Sequence, residues 1–191
     1  MPCPDLPSPD GGCPDCRGRK LAFAAARTLG VYQGALRGAV LRIKHAQQEP
    51  LAHCLGEILA TVVRNRPFPQ LPELIAPVPM HWRKRLWHGA SAAETLADSL
   101  AVALQLPLAA DLLYCTRPLQ KQGTLPVSAR LDNVRGAFST SRAFDIRDAI
   151  ILLADDVITT GATADQCSRA LLAAGAKEVY VAAVARGTGV R

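Results

Sequence analysis

Aromatic side chains are scarce, 5% of the 191 residues, although 49% of the chain is hydrophobic. A core must therefore be built mainly from Ala, Leu and Val, which suits helices packed closely on a sheet. No apolar stretch reaches the length of a membrane span. The opening Met1-Pro-Cys-Pro-Asp-Leu-Pro-Ser-Pro-Asp10 lacks the basic and apolar pattern of a secretory signal. A soluble, cytoplasmic chain with no membrane insertion is the expectation. Neither Gly-x4-Gly-Lys-Ser/Thr nor Gly-x-Gly-x2-Gly occurs, which weakens a nucleoside-triphosphate or dinucleotide reading. His45, His53, His81 and His88 have no metal-ligand spacing, and no His/Asp/Ser nucleophile set is visible. There is no internal repeat.

Lys and Arg number 22 against 16 Asp and Glu, a formal charge of +6 that favours phosphorylated ligands or nucleic acid without choosing between them. The 6 cysteines fall into two groups. Cys54, Cys115 and Cys167 lie in apolar or helical settings and read as packing thiols. Cys13-Pro-Asp-Cys16 has the spacing of one arm of a zinc knuckle, and Cys3 could add a third thiolate. A closed structural zinc site needs four ligands, and no fourth cysteine is near. Residues 1–20 are therefore read as an incomplete cysteine knuckle, with structural Zn²⁺ not expected in this form, and residues 21–191 as the working domain.

An apolar stretch at 21–26 is followed by helical spacing at 35–44 and 50–63, read together as an N-terminal flank. Three prolines in 64–72 break structure before an extended apolar run at 74–79, a candidate edge strand. Ala93, Leu96, Ala97, Leu100 and Leu104 predict a crossover helix leading to a strand at 108–113. Residues 115–136 carry Arg117, Lys121, Arg130 and Arg135 without clear periodicity, which suggests disorder or a working loop. Strands at 150–154 and 179–184 enclose a helix from about Ala162 to Ala174. Its packing face is Ala164, Cys167, Ala170, Leu171 and Ala174, and Gly175 is its natural stop. The alternation predicts an α/β fold with a mostly parallel sheet.

The most informative run is Leu153-Ala-Asp-Asp-Val-Ile-Thr-Thr-Gly-Ala-Thr163. Adjacent carboxylates at the exit of a buried strand are poor candidates for burial, so Asp155 and Asp156 should face a polar cleft. Thr159, Thr160, Gly161, Ala162 and Thr163 offer hydroxyls and N–H groups with little bulk, at a helix N-terminus. Such a turn can cradle a phosphate, while the carboxylates accept from sugar hydroxyls or hold Mg²⁺ through its water shell. In open parallel sheets this is also where ligands collect. Arg83, Lys84 and Arg85, with Arg117, Lys121 and Arg130, are candidate pyrophosphate contacts, and the basic loop could close over the site.

The 153–163 run resembles the phosphoribosyl pyrophosphate (PRPP) motif of type I phosphoribosyltransferases. Four further segments narrow the resemblance to the ComF, or GntX-like, competence-associated family. They are Gly34-Ala-Leu-Arg-Gly-Ala-Val-Leu-Arg-Ile-Lys44, Pro77-Val-Pro-Met-His-Trp-Arg-Lys-Arg85, Gln120-Lys-Gln-Gly123 and Ala129-Arg-Leu-Asp-Asn-Val-Arg-Gly-Ala-Phe138. The resemblance implies a type I phosphoribosyltransferase fold, with a central parallel sheet, flanking helices and a short variable hood. It implies ribose contacts at Asp155 and Asp156, 5′-phosphate contacts at residues 159–163 and a pyrophosphate loop near residues 78–85. It further implies Mg-dependent PRPP binding and phosphoribosyl transfer to a nitrogen acceptor, with an association with DNA uptake, DNA or competence proteins. The alternative is a non-catalytic regulator that binds a nucleotide, DNA or a protein.

Two departures bear on these expectations. The family's knuckle has four cysteines, and the missing one would fall three residues before Cys3, ahead of Met1; an upstream start or genuine loss explains this equally well. His88-Gly-Ala-Ser-Ala92 stands where members have Arg-Gly-Phe-Asn-Gln, removing an aromatic surface and two amides while leaving Ser91 able to cap the next helix.

Overall fold

The computed structural model describes residues 20–80, 91–120 and 127–187. In chain order the elements are β1 (Ala25–Val31), α1 (Gly34–Arg42), a 3₁₀ turn (Ala46–Gln48), α2 (Glu49–Asn65), β2 (Leu74–Pro77), α3 (Ala92–Leu104), β3 (Leu113–Cys115), α4 (Val127–Val134), β4 (Phe138–Thr140), β5 (Ile150–Ile158), α5 (Ala162–Ala173) and β6 (Glu178–Arg186). Strands β1, β6, β5 and β2 lie side by side in that order, all parallel, and β3 pairs with β4 in a small antiparallel sheet. The expected central parallel sheet is present.

The sheet forms because its central strands are apolar on both faces. In β5, Ile151 and Leu153 join one cluster with Cys167 and Leu171 of α5, while Ile150, Leu152 and Ala154 join another with Leu59 of α2 and Leu100 of α3. Strand β6 alternates in the same way, Val179, Val181 and Ala183 against Tyr180 and Ala182. The two-residue period of a strand thus feeds two helical layers. Helix α3 starts as expected: Ser91 Oγ accepts from Glu94 N at 3.1 Å, and the Glu94 carboxylate accepts from Ser91 N at 3.1 Å, a complete capping box.

Several expectations need correction. The stretch read as an N-terminal flank supplies β1, an edge strand in register with β6 from Ala25↔Tyr180 to Val31↔Arg186. Residues 108–113 are not a full strand. Leu108 makes one isolated bridge to Ile75, and Pro107 has no N–H with which to extend a ladder. Part of the supposed working loop is helix α4, held by buried Val134 and an Asp132–Arg135 ion pair at 3.0 Å. Cys115 and Cys167 are buried as anticipated, but Cys54 is exposed because Ala52, Leu55, Leu59 and Val63 define the inward stripe of α2. Ala174 is exposed as well, since α5 has already ended and Gly175 follows with φ +104°. Residues 1–19, including Cys3, Cys13 and Cys16, lie outside the described residues.

Candidate functional site at the carboxyl edge of the sheet

Strand β5 outruns its neighbour. Its pairing with β2 ends at Pro77↔Ala154, while its pairing with β6 continues to Ile158↔Arg186. Asp155 and Asp156 are therefore part of the strand rather than of the loop after it, in the section that β2 no longer covers. Ala154 O still accepts from Val78 N at 2.9 Å. Two residues further on, the N–H of Asp156 faces the same side, beyond the last β2 residue paired with β5. The Asp155 carboxylate folds over and accepts it at 2.8 Å.

Consecutive strand residues leave toward opposite faces, but Asp155 folds back so that its carboxyl interacts with that of Asp156, and both line one cavity. The Asp155 backbone follows Ile151 and Leu153 toward α5, where burial, and after it the charge of Asp155, pushes up the Cys167 thiol. Asp156 turns to the α1 side, where Lys44 Nζ lies 2.5 Å from its Oδ2. Burial, followed by the charge of Asp156, raises the Asp155 carboxyl well above the usual carboxylate range. Burial alone would lower the Lys44 ammonium, but the charge and hydrogen bond of Asp156 outweigh it and hold its pKa above the ordinary value.

After Ile158 the chain turns through Thr159, Thr160 and Gly161 into α5. Gly161 has φ +74°, a backbone that favours glycine, and a Cβ there would make only ordinary contact with the Phe23 ring, at 3.4 Å. No side chain of Gly161 can cap the helix, and Thr160 Oγ1 accepts from Ala162 N at 3.3 Å. The first-turn carboxylate of α5, Asp165, is turned away. It accepts from Ala22 N at 2.8 Å and pairs with Arg169 Nε at 2.8 Å, tying the chain entering β1 to α5. The N–H end of α5 therefore faces the cleft while its own acid is neutralised elsewhere.

A cavity of about 260 Å³ brings these groups together. Asp155, Asp156, Thr159, Thr160, Gly161, Ala162 and Thr163 all line it, as do Lys44, Tyr32 and Val78. The carboxylates accept; the ammonium, hydroxyls and helix N–H groups donate. An anionic, hydroxyl-bearing ligand meets both requirements at once. Among the described residues no cluster of three or more His, Cys, Asp or Glu could hold a metal ion.

The other predicted residues are not all gathered here. Arg117 donates to the backbone carbonyls of Asn133 at 2.9 Å and Arg135 at 3.1 Å, closing the end of α4, and it does not line the cavity. Arg130 lies on α4. Arg83, Lys84, Arg85 and Lys121 fall outside the described residues. Lys44 was not among the predicted site residues, because a Lys following an amphipathic helix looks like any solvated charge. Only its position at the end of the 34–44 segment hinted at more.

No family model matches the chain. Competence protein F of Haemophilus influenzae is 28% identical over 180 residues, covering 91% of this chain and 78% of that protein. DNA utilization protein YhgH of Escherichia coli K12 is 27% identical over 173 residues, covering 88% and 75%. Among solved structures, the glutamine PRPP amidotransferase of B. subtilis aligns with a TM-score of 0.45 and 22% identity, over 69% of this chain and 25% of that one. The purine phosphoribosyltransferase of Pyrococcus horikoshii aligns with a TM-score of 0.43 and 20% identity, over 74% and 75%. No helix among the described residues is long and apolar enough to cross a membrane.

Proposed function

We propose that this chain, a homologue of competence protein F and the DNA utilization proteins, binds PRPP at the carboxyl edge of β5 and transfers its phosphoribosyl group to a nitrogen acceptor. The observation that carries the reading is that Asp155, Asp156 and residues 159–163 line one cavity with the N-terminus of α5. In this reading the Thr159–Gly161 turn and the first N–H groups of α5 take the 5′-phosphate, and the two carboxylates accept from the ribose hydroxyls. The acceptor nitrogen bonds to C1 as the C1–O bond to pyrophosphate breaks, and the acceptor's proton is released. Preplaced charge does most of the catalytic work, because positive charge grows on the sugar as it is handed over.

Magnesium fits the donor set only in a particular way. Two carboxylates, one of them already holding Lys44, make no protein cage. They suit an ion that arrives on the pyrophosphate with its own waters, which Asp155 and Asp156 could contact. When bound, the ion would neutralise charge on the leaving oxygens.

Calorimetric titration with PRPP, with and without Mg²⁺, tests the binding step; heat that appears only with Mg²⁺ is expected, and no saturable heat in either case would end the reading. Release of pyrophosphate against a panel of bases and amines tests transfer. The second reading is a non-catalytic DNA-handling protein, favoured by the names of the relatives and by the charge of +6. Single-stranded DNA binding with a steep salt dependence and no pyrophosphate release from any acceptor would select it.

A further inference from the structure

The geometry points to Lys44 as a positioning residue that fixes Asp156 for recognition of ligand hydroxyls, a role that rests on the phosphosugar reading of the cavity. Lys44 comes from the turn after α1, in a region otherwise concerned with packing: Val40 and Ile43 are buried against Leu55, Leu96 and Val184. That anchor sets the lysine stem in place. Its Nζ reaches Asp156 Oδ2, and both side chains line the cavity. The Lys44 side chain is 46% exposed and that of Asp156 18%.

The two acids are held differently, and this gives Lys44 its function. Asp155 is oriented from within its own strand, by the N–H of Asp156. The Asp156 side chain is instead gripped from outside its strand, by the ion pair with Lys44, and it also meets the Asp155 carboxyl. A carboxylate gripped through one oxygen presents the other in a defined direction, and orientation is what a hydroxyl-reading acceptor needs. The ammonium also keeps the cavity from opposing an anionic ligand with two uncompensated carboxylates. Charge compensation alone would act on any phosphate, whereas orientation acts only on a ligand with hydroxyls to read.

Ribose 5-phosphate and its 2,3-dideoxy counterpart, which carry the same charge, separate these effects. Their affinities should be measured for the full chain, Lys44→Met and Lys44→Arg, with thermal midpoints confirming that each variant folds. The expected result is a preference for the ribose compound in the unaltered chain. In Lys44→Met its affinity should fall about tenfold while the dideoxy compound changes by less than about threefold, as expected for loss of an oriented charge-assisted hydrogen bond. Lys44→Arg should keep most of the preference. An equal fall for both ligands would make Lys44 a bulk charge only. An unchanged or larger preference in Lys44→Met would make it a bystander or a competitor. Either result overturns the proposal while leaving the phosphosugar site intact. Failure of the unaltered chain to bind either ligand would instead remove the phosphosugar reading on which the proposal stands.

Discussion

The two ends of the parallel sheet both carry polar side chains, but they use them in opposite ways. At the amino end, Tyr180 is fully buried; its hydroxyl donates to Glu178 at 2.6 Å and accepts from Gln70 N at 3.2 Å. Gln70 Nε2 returns to the same Glu178 carboxylate at 2.9 Å, and Glu73 accepts from Ile150 N at 2.8 Å. Phe68 stacks on Tyr180 at 4.4 Å with Arg27 above it at 4.8 Å. This end is satisfied from within. At the carboxyl end, Asp155, Asp156 and Lys44 face a cavity together with Thr159, Thr163 and a helix N-terminus. The contrast separates polar groups that hold the fold from those left facing a ligand.

Substitutions at each end should break in different currencies. Asp165 is the informative exception, since it sits beside the cavity yet is closed by Ala22 and Arg169. Asp165→Ala should behave like an amino-end change, costing about 3 kcal/mol of stability with ligand affinity largely kept, as loss of a buried charged acceptor does. Chemical unfolding read beside titration checks this, and a loss confined to affinity would move Asp165 into the site. Gly161→Ala should lower both, because φ +74° costs an alanine about 1–2 kcal/mol and the turn would shift to relieve it. Tyr180→Phe should cost about 1 kcal/mol in stability and leave affinity unchanged.

The smallest effect is a pH dependence. The folded-state pKa of Asp155 is raised, so its contribution is fully present below the unfolded carboxyl value of about 3.9 and is lost as pH rises through the folded value. The thermal midpoint of Asp155→Asn should therefore gain on that of the unaltered chain as pH rises above the ordinary carboxyl value of about 3.9. A constant difference would contradict the assigned burial.

The carboxyl-end loop was legible in the sequence because its chemistry is local. An apolar strand, two acids, a Thr/Gly turn and a helix occupy one continuous run, and all seven predicted residues of that run line the same cavity. The helix start at Ala162 and the cap at Ser91 were equally local. What escaped depended on distant partners. Nothing between residues 21 and 31 says that β1 will pair with residues more than 150 positions later. Lys44 gains its meaning only when α1 packs on β6 and carries it to Asp156. That Asp155 and Asp156 belong to the strand itself was hidden because β5 was expected to end at residue 154, whereas pairing with β6 extends it to Ile158.

The most direct test of the account is a paired measurement on Asp155→Asn/Asp156→Asn and Tyr180→Phe. For each, PRPP affinity in Mg²⁺ is measured by calorimetry and stability by unfolding. The double variant should lose affinity about 100-fold or more while its stability is unchanged or improved, and Tyr180→Phe should lose stability while its affinity is unchanged. Undiminished PRPP binding by the double variant would contradict it.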